Sequence, residues 1–447
     1  MHEQKIVNQK KEIALGWQLS PSLPEVFSSV AVPDTKNFLK KAFAFFGPGL
    51  MIAVGYMDPG NWATDIAGGS KYGYTLLSVI LFSNFFAILL QYLSLKLGIV
   101  IERDLAQACR TYYSRPVSIA LFIFAEIAII ACDLAEVLGA AIALNLLFGM
   151  PYWLGVLVTL LDVFIILYLQ TKAFRYIEAF VGALIFIIFL CFGYEILMSQ
   201  PAWREVFSAL VPRKEIFTNH DLLYLAIGIL GATVMPHNLY LHSSIVQTRQ
   251  YSRSPEGKRK AILFASIDST VSLVLAFFIN AFILILAAAT FHKNGYHDVA
   301  DISDAYHLLD PILKTATLSS TLFAIALLAA GQNSTLTGTI SGQIIMEGFL
   351  NLKMAAWLRR LLTRSLAVLP ALFVILWRGE KGTSDLLVLS QVVISMQLSF
   401  AVVPLVLFTS DKNKMGVFVN SGLMKISAWC VAAIIIVLNG YLLLGMI

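Results

Sequence analysis

The sequence predicts an all-α polytopic membrane protein with a 5+5 inverted repeat, broken first and sixth helices, and an appended eleventh helix. Three observations carry this expectation. The 447 residues are 58% hydrophobic and only 13% charged, where soluble domains carry about 25% charged residues. Apolar runs of about 20 residues, enough to cross ~30 Å of hydrocarbon, recur along the whole chain. Two of these runs are interrupted at their centres by proline and polar side chains: GPGLMIAVGYMDPGN from Gly47 and GATVMPHN from Gly231. Backbone groups left unpaired in lipid cost several kcal/mol each, so both interruptions must face a cavity or each other.

The spans are expected at 43–68, 74–99, 117–148, 152–170, 174–198, 222–247, 261–291, 313–346, 359–377, 385–408 and 422–446. Spans 1–5 and 6–10 then share one order, a broken helix followed by four intact ones. An odd number of spans per half is what inversion requires. Residues 1–42 are polar and basic, without an apolar core leading to a small-residue cleavage site, and are expected to form a cytosolic arm. Residues 43–447 form one transmembrane domain, because the loops leave no room for another. Most of the 32 Lys and Arg residues fall in alternate loops, among them Lys5, Lys10, Lys11, Lys36, Arg103 and the RSPEGKRK stretch from Arg253. This bias puts the N-terminus in the cytoplasm and, with eleven spans, the C-terminus outside. The net charge of +5 therefore reflects topology and not nucleic-acid binding. Cys109, Cys132, Cys191 and Cys430 are scattered, with neither a disulfide frame nor thiolate metal spacing.

The chemistry lies in the two breaks. Asp58 stands mid-span, where a carboxylate costs roughly 2.5–3.5 kcal/mol on the mildest scale. Pro59 and Gly60 interrupt the helix beside it, and Asn61 adds an amide oxygen. In the sixth span Pro236 has no N–H and its ring displaces the carbonyl four residues back, that of Ala232. Met235 beside it is either core filler or a thioether donor. A carboxylate, an amide, a free carbonyl and a thioether together suit a cation of intermediate softness, such as Mn²⁺ or Fe²⁺. Span 3 carries Glu126, Asp133 and Glu136, the last two on one helix face. Buried carboxylates of this kind commonly relay protons, and His237 and His242 of span 6 exchange protons near neutral pH. Arg364 of span 9 is a plausible partner for the span 3 acids.

GYMDPGNWATDI and GATVMPHNLYLHS resemble the two signature breaks of the Nramp family of proton-coupled divalent-metal transporters. GQNSTLTGTISGQIIMEG from Gly331 is similar to that family's eighth-span motif, and DLAEVLGAAIAL from Asp133 to its third span. The resemblance implies the LeuT-type fold, import of Mn²⁺ and Fe²⁺ (with Cd²⁺ and Co²⁺) by alternating access, and proton coupling. It implies Asp58, Asn61, the Ala232 carbonyl and Met235 as metal ligands, with Gln391 approaching the metal in some states. It assigns proton acceptance to Asp133, assisted by Glu136, His237 and Arg364, and His242 joins the expected proton route on its imidazole chemistry alone. One departure is Ser399 in span 10, where many relatives carry proline; it bears on the bend of that helix and not on the metal site. The expected partners are the divalent ion, protons and the bilayer, in the cell (inner) membrane, with no resident cofactor and no nucleic acid, the protein working as a monomer.

Other readings are weaker. A sodium-coupled amino-acid carrier of the same fold would find its substrate carboxylate repelled by Asp58. A Mg²⁺- or aluminium-carrying relative would lack the thioether. The chain has no GxSxG or HExxH motif to mark an enzyme, and its loops are too short for a sensor's output domain.

Overall fold

The computed structural model describes residues 23, 30–33, 37–162, 164, 168, 174–352, 354–379 and 381–445. Most of the expected N-terminal arm, including Lys5, Lys10, Lys11 and Lys36, lies outside the described residues, as do much of the second half of span 4 and Ile447.

The first span is three pieces. Helix α1 (Phe38–Phe45) and α2 (Pro48–Val54) precede a tight turn at Gly55–Met57, and α3 (Pro59–Tyr72) follows. The pieces Phe38–Phe45 and Pro48–Met57 meet at 44°, at a glycine, Gly47, whose φ of 137° disfavours any side chain. Then come α4 (Leu77–Ile101), α5 (Leu105–Tyr112), α6 (Arg115–Phe148), α7 (Tyr152–Val158) and α8 (Phe174–Ser199). The second half opens on α9 (His220–Thr233) and α10 (Pro236–Ile245), the broken sixth span. It continues through α11 (Pro255–Thr290), α12 (Ile302–Leu313), α13 (Leu318–Leu350), α14 (Ala356–Arg378) and α15 (Lys381–Thr409), and α16 (Gly422–Gly445) is appended. A two-residue parallel pairing of Val30–Ala31 with Arg249–Gln250 closes one end.

Among the described residues, eight helices are long and apolar enough to cross a membrane, and the bent pair at the start of span 1 adds a ninth. The expected spans missing from that set have physical reasons. Span 4 is only partly described. Span 8, α13, is long enough but carries the GQNSTLTGTISGQ run, and it is buried. Polar residues at that depth are tolerated because other helices cover them. Span 8 also starts later than expected, at Leu318 rather than 313. Lys314 takes a left-handed conformation that ends α12, and Asp310 accepts hydrogen bonds from the N–H groups of Ser319 (3.1 Å) and Ser320 (3.3 Å), which starts α13.

Small residues let these helices approach closely, as membrane packing requires. A Cβ on Gly331 of α13 would lie 3.5 Å from the Cβ of Ala140 in α6. Trp62 is fully buried, its ring edge-on to Phe192 of α8 (4.8 Å) and Phe323 of α13 (5.2 Å), so the second piece of span 1, α3, is wedged between the two halves. Helix α15 runs unbroken past Ser399. Asn439 of α16 donates to the Ser395 carbonyl (2.7 Å) and to Ser399 Oγ (3.2 Å).

Candidate functional site

At the first break Asp58 is extended (φ −70°, ψ 164°) and caps α3, its Oδ1 accepting the Asn61 N–H at 2.9 Å. Pro59 follows as the first helical residue, where a missing N–H costs nothing. The carbonyls released by the break are partly answered: Asn280 of α11 donates to Tyr56 O (2.6 Å) and the Trp62 indole to Met57 O (3.2 Å). The Asn61 side chain is buried with neither its oxygen nor its nitrogen bonded. Asp58 Oδ2 receives only a long contact from Gln391 Nε2, 3.4 Å. Buried polar atoms are rarely left unpaired, so this break holds unused donor and acceptor capacity.

The second break mirrors it. The last α9 bond runs from Val234 N to Leu230 O (3.1 Å), and Pro236 then starts α10. Pro236 offers no N–H to Ala232 O, and among the described residues no other donor reaches that carbonyl. Met235 is fully buried against Ala131 and Cys132 of α6 and Ile394 of α15.

Two helices gather the breaks. Helix α15 sets Gln391 against Gly60, where any Cβ would collide with its amide, and Ser395 against Gly231, where a Cβ would lie 2.6 Å from Oγ. Helix α6 receives Pro59 at Gly139, which has no side chain to obstruct it. The halves also touch directly, α9 packing on α3 and α10 on α2. Of the expected set, Asp58, Asn61 and Gln391 come together at the first break, while Met235 lies between α6 and α15 and Ala232 follows Gly231, which packs on Ser395 one turn along α15 from Gln391. Among the described residues no group of three or more His, Cys, Asp and Glu is placed to hold an ion. A cation here would draw on one carboxylate together with amide, carbonyl and thioether atoms.

The acid residues of α6 meet α14. Arg360 Nη1 lies 2.6 Å from Asp133 Oδ1, and Arg364 Nη1 lies 3.3 Å from Glu136 Oε2. Arg364 also binds Asp162 and Thr335 Oγ1. Three carboxyls, Asp133, Glu136 and Asp162, therefore face two guanidiniums, and with neighbouring Arg359 paired to Glu126 one carboxyl has no matching cation among the described residues. Oδ2 of Asp133 is unpartnered. His237 Nε2 lies 4.0 Å from Cys132 Sγ, itself 3.4 Å from Glu136 Oε1, so a thiol links the imidazole to the acids. His242 is held elsewhere: its Nδ1 meets Gln91 Oε1 (2.9 Å), and Gln91 donates to the Tyr56 hydroxyl (2.9 Å).

Sequence reasoning missed several of these groups. Arg360, not Arg364, is the nearest cation to Asp133; its i,i+4 spacing from Arg364 was a readable signal. Asp162 carried none. Nor did the clamp on span 1, where buried Arg249 binds Glu178 (2.6 Å) and the Phe46 carbonyl (3.0 Å), while Asp268 accepts the N–H groups of Gly47 (3.2 Å) and Gly49 (2.7 Å).

The chain is similar to known proteins over most of its length. The family profile described as "Natural resistance-associated macrophage protein-like" matches residues 49–445. The chain is 61% identical over 426 residues to the divalent metal cation transporter MntH of Listeria innocua, with 95% of each chain covered. It is 58% identical over 430 residues to that of Bradyrhizobium diazoefficiens, again with 95% of each covered. Among solved structures, the Eremococcus coleocola manganese transporter superposes with a TM-score of 0.89 at 42% identity, covering 94% of this chain and 90% of that one. The nucleobase-cation-symport-1 transporter Mhp1 superposes at 0.59 with 15% identity, covering 80% and 77%, a likeness of fold alone. The fold is the expected LeuT type, and the chain belongs to the Nramp family.

Proposed function

We propose that this protein is a multi-pass membrane transporter that imports divalent transition-metal ions, Mn²⁺ and Fe²⁺ foremost and also Cd²⁺ and Co²⁺, by alternating access coupled to protons. The relatives named as divalent metal cation and manganese transporters support the substrate class, and none of the chemistry described calls for an enzyme. One observation carries the reading: a buried carboxylate, an unpaired amide side chain, a carbonyl without a donor and a buried thioether surround the two helix breaks. Asp58 supplies the charge that offsets dehydration of the ion, while Asn61, Ala232 O and Gln391 supply neutral oxygens. Met235 supplies sulfur, which favours softer ions.

The proton route in this reading is the α6–α14 cluster. Its carboxyl in excess of guanidiniums accepts a proton without leaving an unbalanced buried charge, and Asp133, with an unpartnered oxygen, is the acceptor. Glu136, Arg364 and the His237–Cys132 contact adjoin it; His242 joins through Gln91 and the broken first span. Residues 1–42 are taken as a cytosolic arm and 43–447 as the transport domain, in the cell (inner) membrane with the N-terminus cytoplasmic and the C-terminus outside. The protein works as a monomer without a resident cofactor.

The test is Mn²⁺ uptake into proteoliposomes containing a pH dye, with Mg²⁺ and Na⁺-driven amino-acid uptake as controls. The wild type takes up Mn²⁺ and acidifies the lumen, and Asp133→Asn takes up Mn²⁺ with acidification reduced at least several-fold. Acidification at the wild-type rate in the variant would move the proton route away from Asp133. Na⁺-driven amino-acid uptake without Mn²⁺ uptake would favour the carrier alternative.

A further inference from the structure

The loop between α11 and α12 reads HKNGYHD from His292 to Asp298, and transport through the helix breaks makes no use of it. Gly295 adopts a left-handed conformation (φ 84°) with its N–H on the His292 carbonyl (3.1 Å), and Tyr296 N–H returns to Phe291 O (3.0 Å). This tight turn folds His297 back onto His292. The two Nδ1 atoms lie 3.2 Å apart, with the rings crossed at 68°. The same His292 Nδ1 is 2.9 Å from the carbonyl oxygen of Ser70, near the end of α3. His292 Nδ1 is thus flanked by a second imidazole nitrogen and by a carbonyl oxygen.

That spacing is the spacing of metal ligands. In a tetrahedral site with bonds of about 2.0–2.1 Å, neighbouring ligand atoms sit about 3.3 Å apart. Without a metal, the Ser70 carbonyl can only accept, so His292 Nδ1 carries the proton and His297 Nδ1 accepts a share of it. A metal ion replaces that proton. The neutral His292 moves its hydrogen to Nε2, both rings bind through Nδ1, and no net proton is lost. The site can be reached, because His297 is exposed. It also has room for the His292 ring: Gly73 (φ 59°) has no Cβ, and one built there would lie 3.2 Å from Cδ2 and 3.4 Å from Nε2.

We propose that His292, His297 and the Ser70 carbonyl form a second metal site, separate from the one at the helix breaks, for a single ion of the Zn²⁺, Ni²⁺ or Cu²⁺ class, with water completing the shell. Imidazole suits these ions, and Mn²⁺ stands lowest in the divalent affinity order, so this site selects against Mn²⁺. The ion staples the loop to the second piece of span 1, α3, adding to the hydrogen bond already made there by Ser70 Oγ to the Val299 carbonyl (2.8 Å).

The test is Zn²⁺ titration by calorimetry of the full-length protein in lipid nanodiscs, in an Asp58→Ala background that disables the site at the breaks. Asp58→Ala binds one Zn²⁺, and adding His297→Ala weakens that binding by more than about 100-fold, beyond the roughly 10–100-fold that loss of a mere outer-shell partner costs. The exposed His297 leaves the metal-free melting temperature unchanged when replaced. X-ray absorption at the zinc edge then finds two imidazoles on the ion in the background protein. No Zn²⁺ binding in that background, equal binding with and without His297, or a zinc shell lacking imidazole would each overturn the proposal.

Discussion

On the proposed reading, selectivity turns on Met235. Ca²⁺ and Mg²⁺ demand oxygen: Ca²⁺ takes six to eight oxygen ligands and Mg²⁺ sheds water reluctantly. A thioether gives either ion little in return for a lost water, and specificity is a difference of affinities. Met235→Ala opens space for a water in place of the sulfur. The variant is expected to keep Mn²⁺ uptake within a few-fold, to become inhibited by Ca²⁺, and to lose Cd²⁺ competition by at least about tenfold, equivalent to about 1.4 kcal/mol. Competition of Ca²⁺ and Cd²⁺ against Mn²⁺ in proteoliposomes measures this, and unchanged discrimination would return Met235 to the role of core filler. At this scale the sequence was informative wherever a residue broke a local rule. Asp58, Pro59, Pro236 and the span 3 acids each violate the composition of a lipid-facing helix, so each was legible. Asp162 and Asp268 were not, because their roles depend on partners 202 and 219–221 residues away, and nothing local records such pairings.

On the proposed reading, the broken helix is the functional element. Proline at the start of α10 leaves Ala232 O without a donor, and Pro236→Ala supplies the missing N–H. The chain then gains the option of a continuous helix in which residue 236 donates to Ala232 O. We expect Pro236→Ala to melt at the same or a higher temperature while Mn²⁺ uptake falls by at least about tenfold, or about 1.4 kcal/mol. Wild-type uptake in this variant would mean that the Ala232 carbonyl is not a ligand. Helix limits were legible to within a few residues where a cap or proline marks them, as at Asp58 and Pro236. They were misjudged at span 8, because Asp310 reaches across a turn to start α13 while hydropathy alone carries the apolar run straight through. Ser399, standing where many relatives carry proline, put a bend there in doubt, and α15 runs unbroken past it, with Asn439 of α16 donating to the Ser395 carbonyl and to Ser399 Oγ.

At the scale of the whole molecule, the two-half layout was readable because both halves open on the same kind of interruption, while the packing between the halves was not. The wedge of Trp62 between α8 and α13 and the guanidinium-rich clamp at the start of span 1 arise only when distant helices meet. The proposed orientation rests on the basic loops and is testable with single cysteines in a Cys430→Ala background, because Cys430 is the exposed native thiol among the four. On intact cells, an impermeant thiol reagent is expected to label Asp298→Cys and to spare Glu256→Cys, both at exposed positions; the reverse pattern would invert the topology. The central claim, that the ion sits between the two helix breaks, is tested most directly by anomalous scattering from crystals soaked in Mn²⁺. The peak is expected in contact with Asp58 and Met235, with oxygen bonds within the roughly 2.0–2.6 Å range spanned by Mg²⁺ and Ca²⁺. A sole peak among Asp133, Glu136 and Asp162, or one beside Asp58 but out of reach of Met235 and the Ala232 carbonyl, would contradict it.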